Sequence, residues 1–306
     1  MGQNARDLKK CMMKFGLTGH PIGHSLSPAL FRAGYDGRYP YELIETADFE
    51  EAYGRFLEEY DGINVTAPFK ELAYAKADIL SEECRMIGAT NLLVKTPEGI
   101  KAYNSDYLGV RMWLCEVAEG MKRTPFFPAG CLPPAARGVA RFSSPQPPHT
   151  APVKALIVGL GGAGKAAAVA AASLGMSCIL MNRDMSKAEA MADKLGAMKV
   201  KADVRPLSGF RNAFKEADII IYNIPAAIPE LNILADSDFN PGNPKFILEA
   251  NYKDPSFGKD LIARMKAGNP LAQYTEGRTW LLYQALTGYE IFTGEKPDLK
   301  KMSDVL

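Results

Sequence analysis

The segment Gly159-Leu-Gly-Gly-Ala-Gly164 has the spacing that a phosphate-binding turn requires, and it stands in the right local setting. An apolar run, Ala155 to Val158, precedes it, and the helix-favouring stretch KAAAVAAASLG follows. A strand, a tight turn and a helix N-terminus therefore come in order. Lacking side chains, Gly159 and Gly161 let the backbone approach a pyrophosphate, while Gly162 and Ala163 open a helix whose free N–H groups and dipole attract its charge. The other use of such glycines is close packing of strand on helix. In this setting the spacing points to a dinucleotide site.

Cofactor choice is usually written at the end of the next strand, where an acid accepts from the ribose 2′-hydroxyl of NAD and an arginine pairs with the 2′-phosphate of NADP. Here that strand ends in Asn182-Arg183-Asp184, with Lys187 beyond. Two cations suit a phosphate dianion, and Arg183 can also stack on adenine. Asp184 argues for NAD unless it caps the next helix, where Asp is common. The balance favours NADP, with NAD as the alternative.

A second group of polar residues lies in the first half. Gly19-His-Pro-Ile-Gly-His-Ser-Leu-Ser-Pro28 places Ser25 and Ser27 just before a helix begun by Pro28, which by itself reads as an ordinary serine N-cap. Asn64-Val-Thr-Ala-Pro-Phe-Lys70 puts Asn, Thr and Lys at a strand-to-helix turn. Gly88-Ala-Thr-Asn91 and Asn104-Ser-Asp106 add amides and an acid at the ends of further strands. In an open α/β sheet the carboxyl ends of strands form one crevice, so these groups can converge on a small polar ligand.

The elements that must position them alternate. Over residues 14 to 110, KFGLTG, YELIET and DGINVTA read as strands and SPALFRAGYD and FEEAYGRFLEEY as helices, which predicts a parallel α/β sheet. A second α/β unit opens at VKALIVGLGGAG and continues through SCILMNR, ADIIIYNIP and PKFILEAN. With 306 residues, two domains are the expectation: 1–121, a proline-rich linker or insertion at 122–152, and a Rossmann domain at 153–274. The tail TWLLYQALTGYEIFTG reads as a helix, apolar at Trp280, Leu281, Tyr283, Leu286 and Tyr289, and residues 275–306 are expected to complete the first domain.

Composition narrows the function classes. Lys plus Arg number 36 against 35 Asp plus Glu, so no global field exists for nucleic acid or an anionic membrane. The five scattered cysteines form no CxxC pair and fit a reducing cytosol. No secretory leader and no apolar run long enough to span a bilayer is read, so a cytoplasmic protein is expected.

Taken together, GxPIxHSxSP, NVTxPFK, GAxN and Asn-x-Asp resemble the segments of the shikimate dehydrogenase family, in order and over most of the chain outside the proline-rich stretch. The resemblance implies an α/β substrate domain completed by the C-terminal helix, a Rossmann domain, and NADPH-linked reduction of 3-dehydroshikimate to shikimate in aromatic amino-acid synthesis. Carried over by position, it makes Ser25, Ser27, Thr66, Asn91, Tyr252 and Gln284 substrate ligands and Lys70 with Asp106 the catalytic pair. On the cofactor side it adds Asn182 and Asn223 to the glycines, Arg183 and Lys187. It implies no metal, and as partners only a small-molecule substrate, in a monomer or homodimer.

Elementary chemistry agrees with that assignment. Hydride arriving at a ketone carbon builds charge on oxygen, and an ammonium at hydrogen-bonding distance both stabilises the charge and supplies the proton. A carboxylate beside the ammonium fixes its direction. In alcohol oxidation the same lysine must first lose a proton, so that rate is expected to rise with pH. Hydroxyls and amides suit a ligand with several hydroxyls and a carboxylate, because unpaired polar groups penalise the wrong substrate. His24 either joins the site or shapes the serine turn.

Near the nicotinamide the pattern departs from the family. Asn223-Ile-Pro225 stands for Asn-Ala-Thr, Glu249 for Asp, Ala250 for Met, and Thr279 and Trp280 for Gly and Met. These changes bear on cofactor geometry more than on substrate binding. Two rival readings follow: a relative that prefers quinate and NAD, and a non-catalytic metabolite-binding homologue.

Overall fold

The computed structural model describes residues 13–120, 153–239 and 243–306, so the predicted linker at 122–152 and two of the cysteines, Cys11 and Cys131, lie outside the described residues. The described chain divides into two compact units. One runs through Gly109 and resumes at Leu281–Leu306, and the other is Val110–Trp280. Both divisions fall within helices, Ser105–Gly120 and Gly277–Thr293.

In the first unit the strands are β1 (Phe15–Gly19), β2 (Tyr41–Glu45), β3 (Gly62–Val65), β4 (Ile79–Leu80), β5 (Leu92–Thr96) and β6 (Gly99–Tyr103). The helices are α1 (Ser27–Gly34), α2 (Phe49–Glu59), α3 (Lys70–Ala75), α4 (Glu82–Ile87) and the start of α5 (Ser105–Gly120). Local chemistry sets several of these. Pro28 in the first turn of α1 presets a helical φ, and Asp48 accepts from the Glu50 amide to cap α2.

The sheet order is β2-β1-β3-β5-β6-β4. It is mixed rather than parallel: β3 pairs β5 antiparallel and β5 pairs β6 antiparallel, while β1 is parallel to β2 and β3. The reason is the short turn Pro97-Glu98, which returns β5 directly into β6 as a hairpin and leaves no crossover helix. One face of the sheet buries Phe49, Phe56, Ile63 and Phe69. The other buries Phe15, Phe31 and Leu92 against Leu282, Ala285, Tyr289 and Phe292 of α10 (Gly277–Thr293). Of the tail's expected apolar face, Leu281, Tyr283 and Leu286 are only partly buried.

The second unit contains β7 (Lys154–Val158), β8 (Ser177–Met181), β9 (Ala202–Arg205), β10 (Ile219–Tyr222), β11 (Lys245–Glu249) and β12 (Ala272–Thr275). Its helices are α6 (Gly162–Ser173), α7 (Met185–Ala197), α8 (Phe210–Glu216) and α9 (Lys259–Gly268), and α11 (Leu299–Ser303) closes the chain in the first unit. The order β12-β11-β10-β7-β8-β9 is parallel throughout. Read from the first strand of the unit outward this is the 3-2-1-4-5-6 arrangement of a Rossmann sheet. Runs such as Ile219-Ile220-Ile221-Tyr222 are fully buried, as strands covered on both faces must be. Among the described residues no helix is long and apolar enough to cross a membrane.

Candidate active site

Four segments of the first unit meet at one sheet edge. The loop after β1 and the loop after β3 are joined by backbone bonds, Thr66 N to Thr18 O at 2.8 Å and His20 N to Ala67 O at 3.2 Å. Gly19 permits this approach: a Cβ there would lie 2.4 Å from the Thr66 methyl. The serine loop is further braced by Ile22 N donating to Glu45 Oε1 at 3.1 Å, and by Ser25 N donating to Ile22 O at 2.8 Å.

Ser25 and Ser27 are half-buried, and the Ser25 hydroxyl donates to that of Ser27 at 3.1 Å. Neither caps α1; the residue at that position is Leu26, with no side-chain cap. The Ser25 hydroxyl nevertheless accepts from the Ser27 amide, the first of α1, at 3.2 Å, so it still serves the start of that helix. His24 is exposed and makes no hydrogen bond among the described residues, so Glu45 rather than His24 shapes the turn.

Asn91 precedes β5, and since β5 runs antiparallel to β3, it is a strand's amino end that brings this amide to the edge. The sequence expectation of a carboxyl end is corrected here, by the hairpin. The Asn91 amide donates to Ser105 Oγ at 3.0 Å, its oxygen accepts from Ser105 N at 2.7 Å, and its backbone oxygen accepts from Val65 N at 2.9 Å. Asn104 is buried, donates to Ala89 O at 3.1 Å and accepts from Tyr107 N at 3.0 Å, which fixes the start of α5.

These restraints carry Lys70, first residue of α3, to Asp106 in the first turn of α5, with Nζ 2.5 Å from Oδ2. Lys70 is 21% and Asp106 8% exposed, so the pair is close to dry on the acid side and open to a ligand on the amine side. Gln284 lies where α10 crosses α5: a Cβ on Gly109 would stand 2.6 Å from the Gln284 backbone nitrogen. Thr66, partly buried, lies between the two loops.

One residue has no counterpart in the sequence reading. The Tyr41 hydroxyl donates to Asn64 Oδ1 at 2.8 Å, and the hydroxyls of Ser27 and Tyr289 lie within its hydrogen-bond reach. Burial raises its pKa well above that of an ordinary phenol. A tyrosine opening a strand looks like core from sequence alone, so no local signal marks it.

In the second unit Gly159, Asn182 and Asn223 follow β7, β8 and β10, whose last residues are in register, at the point where the strand order reverses. Gly159 has φ +88°, a conformation that favours glycine. A Cβ on Gly164 would be 1.9 Å from the Gly159 oxygen, so that glycine serves packing. A Cβ on Gly161 would meet nothing within 4 Å, and this residue leads into α6 with space before it. Gly162 and Ala163 form the first turn of the helix.

Asn182 accepts from Leu160 N at 3.0 Å, and Asn223 Oδ1 is buried without a partner among the described residues. An open turn at a helix N-terminus beside a buried free acceptor fits a dinucleotide. Asp184 caps α7 through the Ser186 amide and hydroxyl, which holds its carboxyl below the usual range. Arg183 and Lys187 are exposed, and Arg183 makes no ion pair among the described residues. Beyond β11, Tyr252 is half-buried, and burial raises its phenol pKa against the opposing effect of Arg278.

Comparison with known proteins places both halves. A family model described as the shikimate dehydrogenase substrate binding domain matches residues 17–93, and one described as shikimate / quinate 5-dehydrogenase matches residues 144–242. The chain is 28% identical over 305 residues to a shikimate dehydrogenase (NADP(+)) of Thermus thermophilus, covering 96% of this chain and 97% of that one. It superposes on the crystal structure of Mycobacterium tuberculosis shikimate dehydrogenase with TM-score 0.72 and 26% identity, covering 96% and 100% of the two chains. The Thermus thermophilus shikimate 5-dehydrogenase solved in complex with shikimate matches with TM-score 0.68 at 25% identity, covering 96% and 97%.

Proposed function

We infer that this chain, which belongs to the shikimate dehydrogenase family, is an NADP-dependent oxidoreductase that interconverts 3-dehydroshikimate and shikimate, a step of aromatic amino-acid biosynthesis. The observation that carries the reading is the Lys70–Asp106 pair, set among Ser25, Ser27, Thr66 and Asn91 at one sheet edge.

When bound, the nicotinamide supplies or accepts the hydride at the carbon that bears the reacting oxygen. The rest falls to side chains. As the new C–H bond forms, the carbonyl π pair moves onto oxygen, and the Lys70 ammonium stabilises that charge and transfers a proton to it. Asp106 keeps Nζ aimed at one point. Ser25, Ser27, Thr66, Asn91, Tyr252 and Gln284 are assigned to the hydroxyls and carboxylate of the ring acid, each hydrogen bond selecting against an analogue that lacks the group.

On the cofactor side Gly159, Gly161, Gly162 and Ala163 are assigned to the pyrophosphate, and Asn182 and Asn223 to the rim of the same turn. Arg183 and Lys187 are assigned to the 2′-phosphate. The commitment of Asp184 to capping supports NADP over NAD, since a capping carboxylate accepts from the helix instead of from a ribose. Free, buried Cys84 and Cys178, whose thiol pKa values burial pushes up to about 11 and about 12, support a reducing, cytosolic setting.

The test is the absorbance of the reduced nicotinamide, followed with purified protein, shikimate or quinate, and NADP⁺ or NAD⁺. Shikimate with NADP⁺ is expected to be the fastest pair. Faster turnover of quinate with NAD⁺ reassigns the substrate, and no turnover with any pair removes the enzymatic reading.

A further inference from the structure

Glu249 ends β11 fully buried, and its carboxylate collects three donors: the amide of Ser256, the amide of Phe257 at 3.2 Å and the hydroxyl of Tyr274 at 2.7 Å. Among the described residues no lysine or arginine forms an ion pair with it. A buried carboxylate held only by neutral donors is a geometric fixture, because each donor lost leaves an acceptor unsatisfied. Two of the donors close the loop that begins at Ala250, and the third comes from β12, so the loop is tied to the sheet at both ends.

Its middle is tied as well. Asn251 donates to Pro225 O at 3.1 Å and to Asp254 O at 2.5 Å, and accepts from the amides of Lys253 and Asp254 at 3.2 and 3.3 Å. Ala250 N donates to Tyr222 O at 2.8 Å. Tyr252 therefore projects from a segment with fixed points immediately before and after it. The family resemblance leads one to expect aspartate at position 249; the additional methylene of Glu249 extends the carboxylate, and in this chain it reaches Tyr274.

We propose that Glu249, acting with Tyr274, is a positioning residue for Tyr252, fixing the loop 250–257 so that the tyrosine hydroxyl meets the substrate in one orientation. This rests on the reading of Tyr252 as a substrate ligand.

The experiment is a double-mutant cycle in the whole enzyme, read as KM for shikimate, KM for NADP⁺ and kcat. Tyr274→Phe removes one donor and leaves the two backbone donors in place, and is expected to raise KM for shikimate about fivefold. Glu249→Gln is expected to raise it more. In both, KM for NADP⁺ and kcat stay within about twofold. In a Tyr252→Phe background neither substitution raises KM further, because there is no hydroxyl left to place.

Equal KM effects with and without the Tyr252 hydroxyl, or no KM effect at all, overturn the proposal. If Glu249→Gln does not fold, Tyr274→Phe decides alone. A wild-type enzyme that turns over shikimate while both variants match it refutes the positioning role only; a wild-type protein with no turnover refutes the functional reading instead.

Discussion

The Nζ of Lys70 lies 2.5 Å from Oδ2 of Asp106, across 36 residues of sequence. Each stands in the first turn of a helix that leaves the same sheet edge, α3 after β3 and α5 after β6. The contact is a product of strand order, since both helices start where strands of one sheet end.

Replacing Lys70 with Ala is expected to lower turnover by about 10²–10⁴-fold or more, while shikimate binding stays within a few-fold. Binding is read by calorimetry in the absence of turnover. An unchanged kcat in this variant eliminates the mechanism.

The glycine loop separates packing from ligand approach. Gly164→Ala must displace the Gly159 oxygen, so it should destabilise the second unit by about 1–3 kcal/mol, seen as a lower urea midpoint. Gly161→Ala meets no protein atom; its midpoint should stay at the wild-type value while NADP⁺ affinity falls. Equal affinity in Gly161→Ala would show that no pyrophosphate comes near this residue.

Arg183→Ala is expected to raise KM for NADP⁺ by about 10- to 100-fold, the worth of a charge-assisted hydrogen bond, with little change for NAD⁺. Steady-state rates with both coenzymes check this. Parallel losses for the two would detach Arg183 from the 2′-phosphate.

Lys245 is buried and donates to the carbonyls of Phe214 and Ala217 at 2.6 and 2.5 Å. Burial lowers its pKa from 10.5 to about 8, the two carbonyls and nearby Asp218 notwithstanding. Below pH 8 both folded and unfolded chains carry this proton. Between pH 8 and 10.5 the unfolded chain keeps it and the folded chain has released it, so unfolding takes up a proton and this group makes stability rise with pH. The difference in urea midpoint between wild type and Lys245→Met should therefore shift in favour of the wild type from about pH 8 to about pH 10, and a constant difference excludes the depressed pKa.

Much of the site is legible in residue order alone. The turn at Gly159–Gly164, the NVTxPFK turn and the Asn-x-Asp start of α5 are local patterns, because a phosphate turn or a strand-to-helix junction uses residues a few positions apart. Asp184 shows where this legibility stops. Its type fits a ribose or a helix cap equally well, and only the bond to Ser186 assigns it to the cap.

Residue types and their spacing establish the class and period of the elements and which residues stand at their ends: a Rossmann unit built on apolar strands, and a polar set from Ser25 to Asp106. Strand direction is set only in the packed fold, and with it the entry of Asn91 into the site from the amino end of β5. The same packing joins the serine loop to Asn64 through Tyr41, and places Tyr274 on Glu249. The physical reason is that side-chain periodicity records which face of an element is buried, while pairing partners and strand polarity depend on contacts between residues far apart in the chain, whose cooperative packing leaves no mark on any short stretch of residues.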